Sequence, residues 1–140
     1  MSKQPEAVFL QGVRALLPSS IYTMKTHNPF IGGCPDLYVE GNAGILWLEF
    51  KFLDVVPSTL LLSAGKLTRL QQDWLYRAEL NGIPHAVIVG HKQQGVVFHG
   101  RTQWNLPVTR EEFMARAVPR ARIADWISQC VLSSPSCASS

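Results

Sequence analysis

The pattern of hydrophobic and polar positions over residues 5–91 predicts a helix, three strands, a second helix and a fourth strand. Apolar residues recur at helical spacing near the amino terminus, whereas residues 45–52 form an almost continuous apolar run, typical of a strand buried on both faces. The expected elements are a helix over 5–17, strands over 21–27, 36–40 and 45–52, a helix over 68–81 and a strand over 85–91. A Gly-rich turn at 40–44 predicts a hairpin, and a right-handed crossover through the second helix predicts an α/β fold with a mixed sheet flanked by helices.

The second helix has signals for both of its ends. Thr68, followed three residues later by Gln71, matches a capping box, and Asn81-Gly82 predicts the helix end. Gln71 also lies among the apolar positions of this helix, so two interpretations stay open. It completes the capping box, or its side chain turns towards the sheet at Glu49 and Lys51.

The carboxyl-terminal part adds an expected edge strand near 95–99 and two short helices, the first of which begins at a second capping box, Thr109 to Glu112. Residues 101–122 contain five arginines and two glutamates, Arg101, Arg110, Arg116, Arg120, Arg122, Glu111 and Glu112. These arginines form a face that tracks backbone phosphates, or they are simply solvated. We expect one domain over 1–132, with a core of about 5–91 and an extension over 92–132, and a flexible tail over 133–140.

Composition narrows the class of protein. The chain has 140 residues, 46% of them hydrophobic and 16% charged, as in an ordinary globular domain. Its apolar runs are much shorter than a membrane span, and its start lacks the pattern of a signal peptide. Three cysteines without paired spacing favour a reducing cytoplasm and argue against a thiolate metal site. The net charge of +3 permits nucleic-acid binding without requiring it.

The apolar strand over 45–52 carries two charged side chains, Glu49 and Lys51, which share one face because strand side chains alternate. The hairpin returns Asp36 to the neighbourhood of Glu49. Because unpaired buried charge is costly, two converging carboxylates predict a divalent metal ion as their partner. The alternative is an ordinary ion pair on a strand surface.

Pro35-Asp36 followed by Glu49-Phe50-Lys51 resembles the signature of the PD-(D/E)xK nuclease superfamily. The surrounding GGCPDL at 32–37 and LTRLQQDWL at 67–75 are similar to the virus-type replication-repair nuclease (VRR-NUC) branch, which itself resembles small Holliday junction resolvases. The resemblance covers roughly residues 5–91. It implies a restriction-endonuclease-like αβββαβ core.

This resemblance implies phosphodiester hydrolysis that depends on Mg²⁺ or Mn²⁺. Asp36 and Glu49 are then metal ligands, and the main-chain carbonyl of Phe50 supplies a third oxygen. Lys51 orients or helps to deprotonate the attacking water, or offsets phosphate charge. Gln71 turns towards Glu49 and Lys51, as the equivalent glutamine does in the family. No Cys/His cluster, P-loop or Ser-His-Asp arrangement competes with this site.

Glu6 lies in line with the apolar stripe of the first helix. In the resembled family a first-helix glutamate often reaches the metal centre, which makes Glu6 a further site residue. The alternative is an acid in the first turn that is stabilised by the helix dipole.

The expected function is that of a DNA endonuclease in replication, recombination or repair, selective for branched DNA and located in the cytoplasm of a bacterial cell or a phage-infected host. A homodimer is expected because paired cutting of a junction needs two sites related by a two-fold axis. The Leu60-Leu61-Leu62 run in the loop over 55–62 is either the dimer contact or packs onto its own core. The alternatives are an inactive DNA-binding accessory domain of the same fold, or an unrelated interaction protein.

Overall fold

The amino-terminal two thirds of the chain have the predicted αβββαβ order, with one short extra strand. The computed structural model describes residues 4–26 and 32–133. Within these residues the elements are α1 (Pro5–Arg14), β1 (Tyr22–Lys25), β2 (Leu37–Gly41), β3 (Gly44–Phe52), β4 (Thr59–Leu60), α2 (Arg69–Leu80), β5 (His85–His91), β6 (Gln94–Phe98), α3 (Arg101–Trp104), β7 (Val108–Thr109), α4 (Arg110–Arg116), β8 (Val118–Pro119) and α5 (Arg120–Val131). No helix in the described ranges is long and apolar enough to cross a membrane.

The main sheet has six strands in the order β1-β2-β3-β5-β6-β8. The predicted hairpin is present, since β2 and β3 pair antiparallel and close at Gly41 and Gly44. Strand β5 pairs parallel with β3, as expected for two strands joined through α2, and all other neighbours are antiparallel. The predicted mixed sheet is therefore confirmed. The expected edge strand, β6, instead lies between β5 and the two-residue β8.

Helices cover both faces of the sheet and create two hydrophobic cores. Side chains of α1 and α5 pack on one face, and those of α2, α3 and α4 pack on the other. Because strand side chains alternate, Leu48 and Phe50 of β3 point into the α1–α5 core, whereas Glu49 and Lys51 point to the α2 side. The charged pair therefore lies on the sheet face that carries α2.

One end of each of two helices differs from the prediction. Helix α1 stops at Arg14 because the last bonds, from Leu16 and Leu17, span only three residues and turn the chain away. Leu16, which the predicted helix over 5–17 includes, is consequently 51% exposed. The apolar pattern predicts the last helix over 122–131, but α5 begins two residues earlier, at Arg120, because Pro119 supplies an extended N-cap. The expected end of β1 at His27 and the tail over 134–140 lie outside the described residues.

The loop after β3 packs onto its own chain. Strand β4 pairs with β7, and Leu60 and Leu62 are only 3% and 1% exposed in the core beneath α2 and α4. The interpretation of this run as a dimer contact is wrong for these two residues, and the alternative, that the run packs onto its own core, is confirmed for them. Pairing with β7 gives the connection its own small sheet, and this sheet closes the core.

The docking of α1 depends on two glycines in the sheet. A Cβ atom on Gly90 would lie 2.8 Å from the ring of Phe9, and one on Gly95 would lie 2.9 Å from it. The same ring packs against Phe50 and Phe52, with centroid separations of 6.5 and 5.9 Å. The ring of Phe9 is therefore enclosed by its neighbours and cannot shift to accommodate a larger side chain at either glycine. Its position sets the distance between α1 and the sheet.

We expect Gly90→Ala to lower the free energy of unfolding by about 1–3 kcal/mol, because the added methyl overpacks a filled core. Urea denaturation measures this loss. Gly44→Ala is the matched control, since its Cβ atom would have its nearest neighbour at 3.8 Å, and its change should stay within about 0.5 kcal/mol. Equal losses in the two variants would contradict this account of how α1 is positioned.

Candidate active site

Asp36 lies one residue before β2, where the ladder between β2 and β3 ends at the pair Leu37 and Leu48. Its Oδ2 atom accepts a hydrogen bond from the main-chain N–H of Phe50 at 2.8 Å. The N–H of Thr26 donates to the main-chain carbonyl of Asp36 at 2.9 Å. The Asp36 carboxylate thus takes the place of a main-chain partner for β3, and this fixes it at the end of the ladder.

The turn before Asp36 touches the start of α2. Gly33 has a φ of 87°, which favours glycine, and a Cβ atom there would overlap the main-chain carbonyl of Leu70. Glycine at position 33 of the GGCPDL motif therefore has a physical reason, because only glycine allows the backbone to approach the first turn of α2 so closely. This contact brings Asp36 and Gln71 to the same end of the sheet.

Glu49 is the buried centre of the cluster, with 2% of its surface exposed. Its Oε2 atom lies 3.7 Å from the Nζ atom of Lys51, whose side chain is 17% exposed. The Nε2 group of Gln71 donates to the same Oε2 atom at 3.4 Å. The other oxygen, Oε1, is buried and has no hydrogen-bond partner among the described residues. A buried oxygen without a partner is costly, so it marks a place for a donor or a cation.

Gln71 makes both of the contacts that the sequence left as alternatives. Its Oε1 atom accepts from the N–H of Thr68 at 2.9 Å, and its own N–H donates to the Thr68 hydroxyl at 3.1 Å, which completes the capping box. Its Nε2 group meanwhile reaches Glu49. The two functions are compatible because an amide presents an acceptor and a donor at the same end of the side chain.

The electrostatics of the cluster favour a neutral Glu49 in the absence of a cation. Burial, followed by the charge of Asp36, raises the pKa of Glu49 from 4.5 to about 9. Lys51 acts in the opposite direction, and Glu6 adds to the increase. Two carboxyl groups so close together cannot both be ionised cheaply without a positive partner. A bound divalent ion would supply that partner and displace the proton.

Glu6 is half-buried at the start of α1 and belongs to the same electrostatic cluster. Burial raises its pKa, the charge of Asp36 raises it further, and the charge of Lys51 lowers it. Such coupling requires Glu6 to lie near both residues. Glu6 is therefore within electrostatic range of the other predicted site residues.

The donor set fits a hard divalent ion. Glu49 offers its unpartnered Oε1 atom, and Asp36 offers a carboxylate. Because the N–H and C=O of a strand residue face the same neighbouring strand, the carbonyl of Phe50 also faces the side of Asp36. Among residues 4–26 and 32–133, no three His, Cys, Asp or Glu side chains are grouped as a metal site. With Asp36, Glu49 and the carbonyl of Phe50 as its protein ligands, an octahedral ion would keep positions for water and substrate, as Mg²⁺ sites commonly do.

Two features of this region were not predicted from the sequence. The thiol of Cys34 lies near the carboxylates, and its pKa is raised by burial and by Glu49 and Asp36, against a hydrogen bond with Thr26. A thiol kept neutral in this way is a poor nucleophile. A row of aromatic side chains, consisting of Tyr22, Tyr38, Trp47 and Trp74, also extends from the site. Of these four residues, Trp47 could have been placed from the sequence, because strand alternation puts its side chain on the same face as Glu49.

No protein-family model matches the chain, and no curated protein matches it in sequence. Among solved structures, the chain is similar to Hjc from Archaeoglobus fulgidus, a Holliday junction resolvase from an archaeal hyperthermophile. The TM-score is 0.54 at 17% identity, over 87% of this chain and 97% of that chain. At this identity the likeness shows the fold, which is the predicted restriction-endonuclease-like one. The assignment to the VRR-NUC branch stays a prediction.

Proposed function

We propose that this protein is a Mg²⁺- or Mn²⁺-dependent endonuclease that hydrolyses DNA and prefers branched substrates. The observation that carries the proposal is the convergence of Asp36, Glu49 and Lys51 at one end of the sheet, with an unpartnered oxygen on a buried carboxyl group. The fold shared with a Holliday junction resolvase supports it, as does the PD-(D/E)xK spacing. The VRR-NUC assignment belongs to the same proposal.

In this proposal Asp36, Glu49 and the carbonyl of Phe50 hold the metal ion. When bound, such an ion activates water and stabilises charge on the phosphate. Lys51 is partly exposed beside Glu49, so its ammonium group can orient the attacking water or donate to a phosphate oxygen. Gln71 positions Glu49 through its amide. Glu6 contributes a further negative charge within electrostatic range of Asp36 and Lys51.

A cleavage assay on linear, flapped and four-way DNA, with Mg²⁺, Mn²⁺ or EDTA, tests this function. We expect cleavage only with a divalent ion and faster cleavage of branched DNA. Equal cleavage of all three substrates would overturn the branched preference while retaining the nuclease. Binding without cleavage would favour an inactive DNA-binding accessory domain, and the absence of both would overturn the proposal.

The two contacts of Gln71 can be separated by substitution. We expect Gln71→Glu to reduce cleavage with little loss of stability, because an oxygen still accepts from Thr68 while the donor to Glu49 is lost. Thr68→Ala is the matched control, and it should cost about 0.5–2 kcal/mol of stability while preserving cleavage. Thermal unfolding and single-turnover rates measure the two effects. Unaltered turnover in Gln71→Glu would leave only the capping function.

We propose a homodimer, in which two sites cut the two strands of a junction. Because Leu60 and Leu62 are buried, the more suitable contact is the exposed sheet face at β1, where Tyr22 and Met24 are 57% and 44% exposed. Exposed apolar side chains grouped on one face are typical of interfaces. The dimer should be visible as a species of roughly twice 15.6 kDa in sedimentation.

We expect Met24→Glu to convert the dimer to a monomer, because it places a charge in the contact. Val55→Glu is the control from the loop over 55–62, since Val55 is 74% exposed yet lies outside the proposed face. If Val55→Glu dissociated the dimer and Met24→Glu did not, the dimer contact would lie in the loop over 55–62. A wild-type monomer at micromolar concentration would rule out the paired-cutting version and leave the nuclease intact.

A further inference from the structure

The arginines near the carboxyl terminus do not form the single basic face that was one expectation of the sequence. Helix α4 packs on the α2 side of the sheet and α5 on the α1 side, so their arginines lie on opposite layers. Arg110 donates to the main-chain carbonyl of Val56 at 2.8 Å. Arg116 donates to the carbonyl of Val97 at 3.1 Å. These two side chains are engaged in holding the fold together.

Arg101 is placed differently, at a cavity of about 280 Å³ between α2 and α3. Arg69 lines the same cavity from the first turn of α2, and Asn105 lines it from the end of α3. Arg69 pairs at 3.5 Å with Asp73, the acidic residue that lines the cavity. Two guanidinium groups against one carboxylate leave a net charge of +1, which favours an anion.

The guanidinium of Arg101 is held in a defined orientation. It lies 4.4 Å from the centroid of the Tyr76 ring, and the Arg101 main-chain N–H donates to Glu79 at 2.7 Å. Within the described residues this guanidinium makes no hydrogen bond or ion pair. Stacking on an aromatic ring leaves the donors at the guanidinium edge available for an oxyanion.

Trp104 lines the cavity from α3 and is 2% exposed, so its indole ring forms part of the cavity wall. Its Nε1 donor is itself buried, which makes the ring a reporter of the cavity and not a ligand of its contents. The cavity therefore combines the guanidinium group of Arg101, whose donors lack an acceptor among the described residues, with an excess of positive charge among its lining side chains. A phosphate group, with its several acceptor oxygens, matches both properties.

We propose that this cavity binds a phosphate group, which in the nuclease is a DNA backbone phosphate other than the one that is cut. This inference rests on the function proposed above. Gln71 and Gln72 are neighbours in the first turn of α2, so they point about 100° apart. Gln71 contacts Glu49, and Gln72 lines the cavity. The cavity thus lies beside the candidate active site, where it would hold DNA without taking part in hydrolysis.

An NMR titration with inorganic phosphate tests whether the cavity binds a phosphate group. The indole N–H signal of Trp104 is the probe. We expect this signal to shift on addition of phosphate, and the signal of Trp126 to stay in place because it belongs to α5 on the opposite layer. The shift should disappear in the double variant Arg69→Ala/Arg101→Ala. An unchanged Trp104 signal with both phosphate and DNA would overturn the proposal.

The salt dependence of DNA binding, measured in EDTA, decides whether DNA is the source of the phosphate. The double variant should weaken binding to every sequence and reduce the slope of log K against log salt by about 0.9, the value for one lost contact. Arg101→Lys should recover part of this loss, since it restores the charge without the planar stacking. An unaltered slope in the double variant would overturn the DNA contact.

Arg122→Ala is the matched control, because it removes one exposed charge from α5. A loss equal to that of the double variant would show a general charge effect and overturn the site. The failures of the two proposals are distinguishable. A Trp104 response without metal-dependent cleavage would refute the nuclease alone, whereas cleavage without a Trp104 response would refute the cavity alone.

Discussion

Asp36→Asn, Glu49→Gln and Lys51→Met are each expected to lower the rate of metal-dependent DNA cleavage by about 10²–10⁴-fold. Each substitution preserves shape while removing a charge that the proposed reaction uses. Asp36→Asn also retains an oxygen that can accept from the N–H of Phe50, so the loss would not reflect a broken strand end. Single-turnover rates with saturating Mg²⁺ are the measurement, and full activity in any two variants would refute the site.

Metal binding should divide these variants into two groups. By calorimetry, Asp36→Asn and Glu49→Gln should lose most of their affinity for Mn²⁺, because each removes a carboxylate ligand. Lys51→Met should keep it, since the ammonium group is no ligand. Glu111→Gln and Lys66→Met are controls for charge alone, because both residues are exposed. Weakened Mn²⁺ binding in Lys51→Met, with normal binding in the two acid variants, would contradict the assignment of Asp36 and Glu49 as the metal ligands.

The features that sequence reasoning could predict here depend on short-range geometry. Strand alternation put Glu49 and Lys51 on one face, and the hairpin closing at Gly41 and Gly44 returned Asp36 to the end of the same strand pair. The capping box at Thr68 needs only three residues of helix. Each of these relations spans at most one turn or one hairpin, so a single sequence contains the information.

Features that depend on distant pairing were beyond the same reasoning. Leu60 is buried because β4 pairs with β7, nearly fifty residues further along the chain. Arg110 and Arg122 lie on opposite layers because α4 and α5 cover different faces of the sheet. The spacing of residues along the chain predicts neither the strand that pairs with β4 nor the sheet face that each of the two helices covers. The cavity at Arg101 was missed for the same reason, since it joins residues of α2 and α3 that only the folded chain brings together.

We expect the stability of the metal-free protein to fall as pH rises. With its pKa raised from 4.5 to about 9, Glu49 keeps its proton in the folded state where the unfolded chain has lost it. The folded state therefore binds more protons over this whole range, and its relative stability decreases with increasing pH until about pH 9. Deprotonation of the folded state above that value leaves a buried charge without a cation.

Glu49→Gln isolates this contribution, because glutamine is a neutral mimic of the protonated acid and can still accept from Gln71. In EDTA, the difference in unfolding free energy between Glu49→Gln and wild type should grow in favour of the variant by up to about 1.4 kcal/mol per pH unit. Urea denaturation from about pH 5 to 9 measures it. Titrating groups outside the cluster of Glu6, Asp36, Glu49 and Lys51 are present in both proteins and cancel in the difference. Parallel curves would contradict the raised pKa.

Saturating Mg²⁺ should reverse this behaviour in the wild type. A divalent ion binds the deprotonated carboxylate, so its affinity should rise with pH as the proton on Glu49 becomes easier to displace. Ligand binding stabilises the folded state by an amount that grows with the logarithm of the ratio of ion concentration to dissociation constant. Stabilisation by Mg²⁺ should therefore be larger at about pH 8.5 than at about pH 6.5 in the wild type, and nearly absent in Glu49→Gln at both values. Equal stabilisation of the two proteins would place the ion elsewhere, because a site built on Glu49 cannot keep its affinity when that carboxylate becomes an amide.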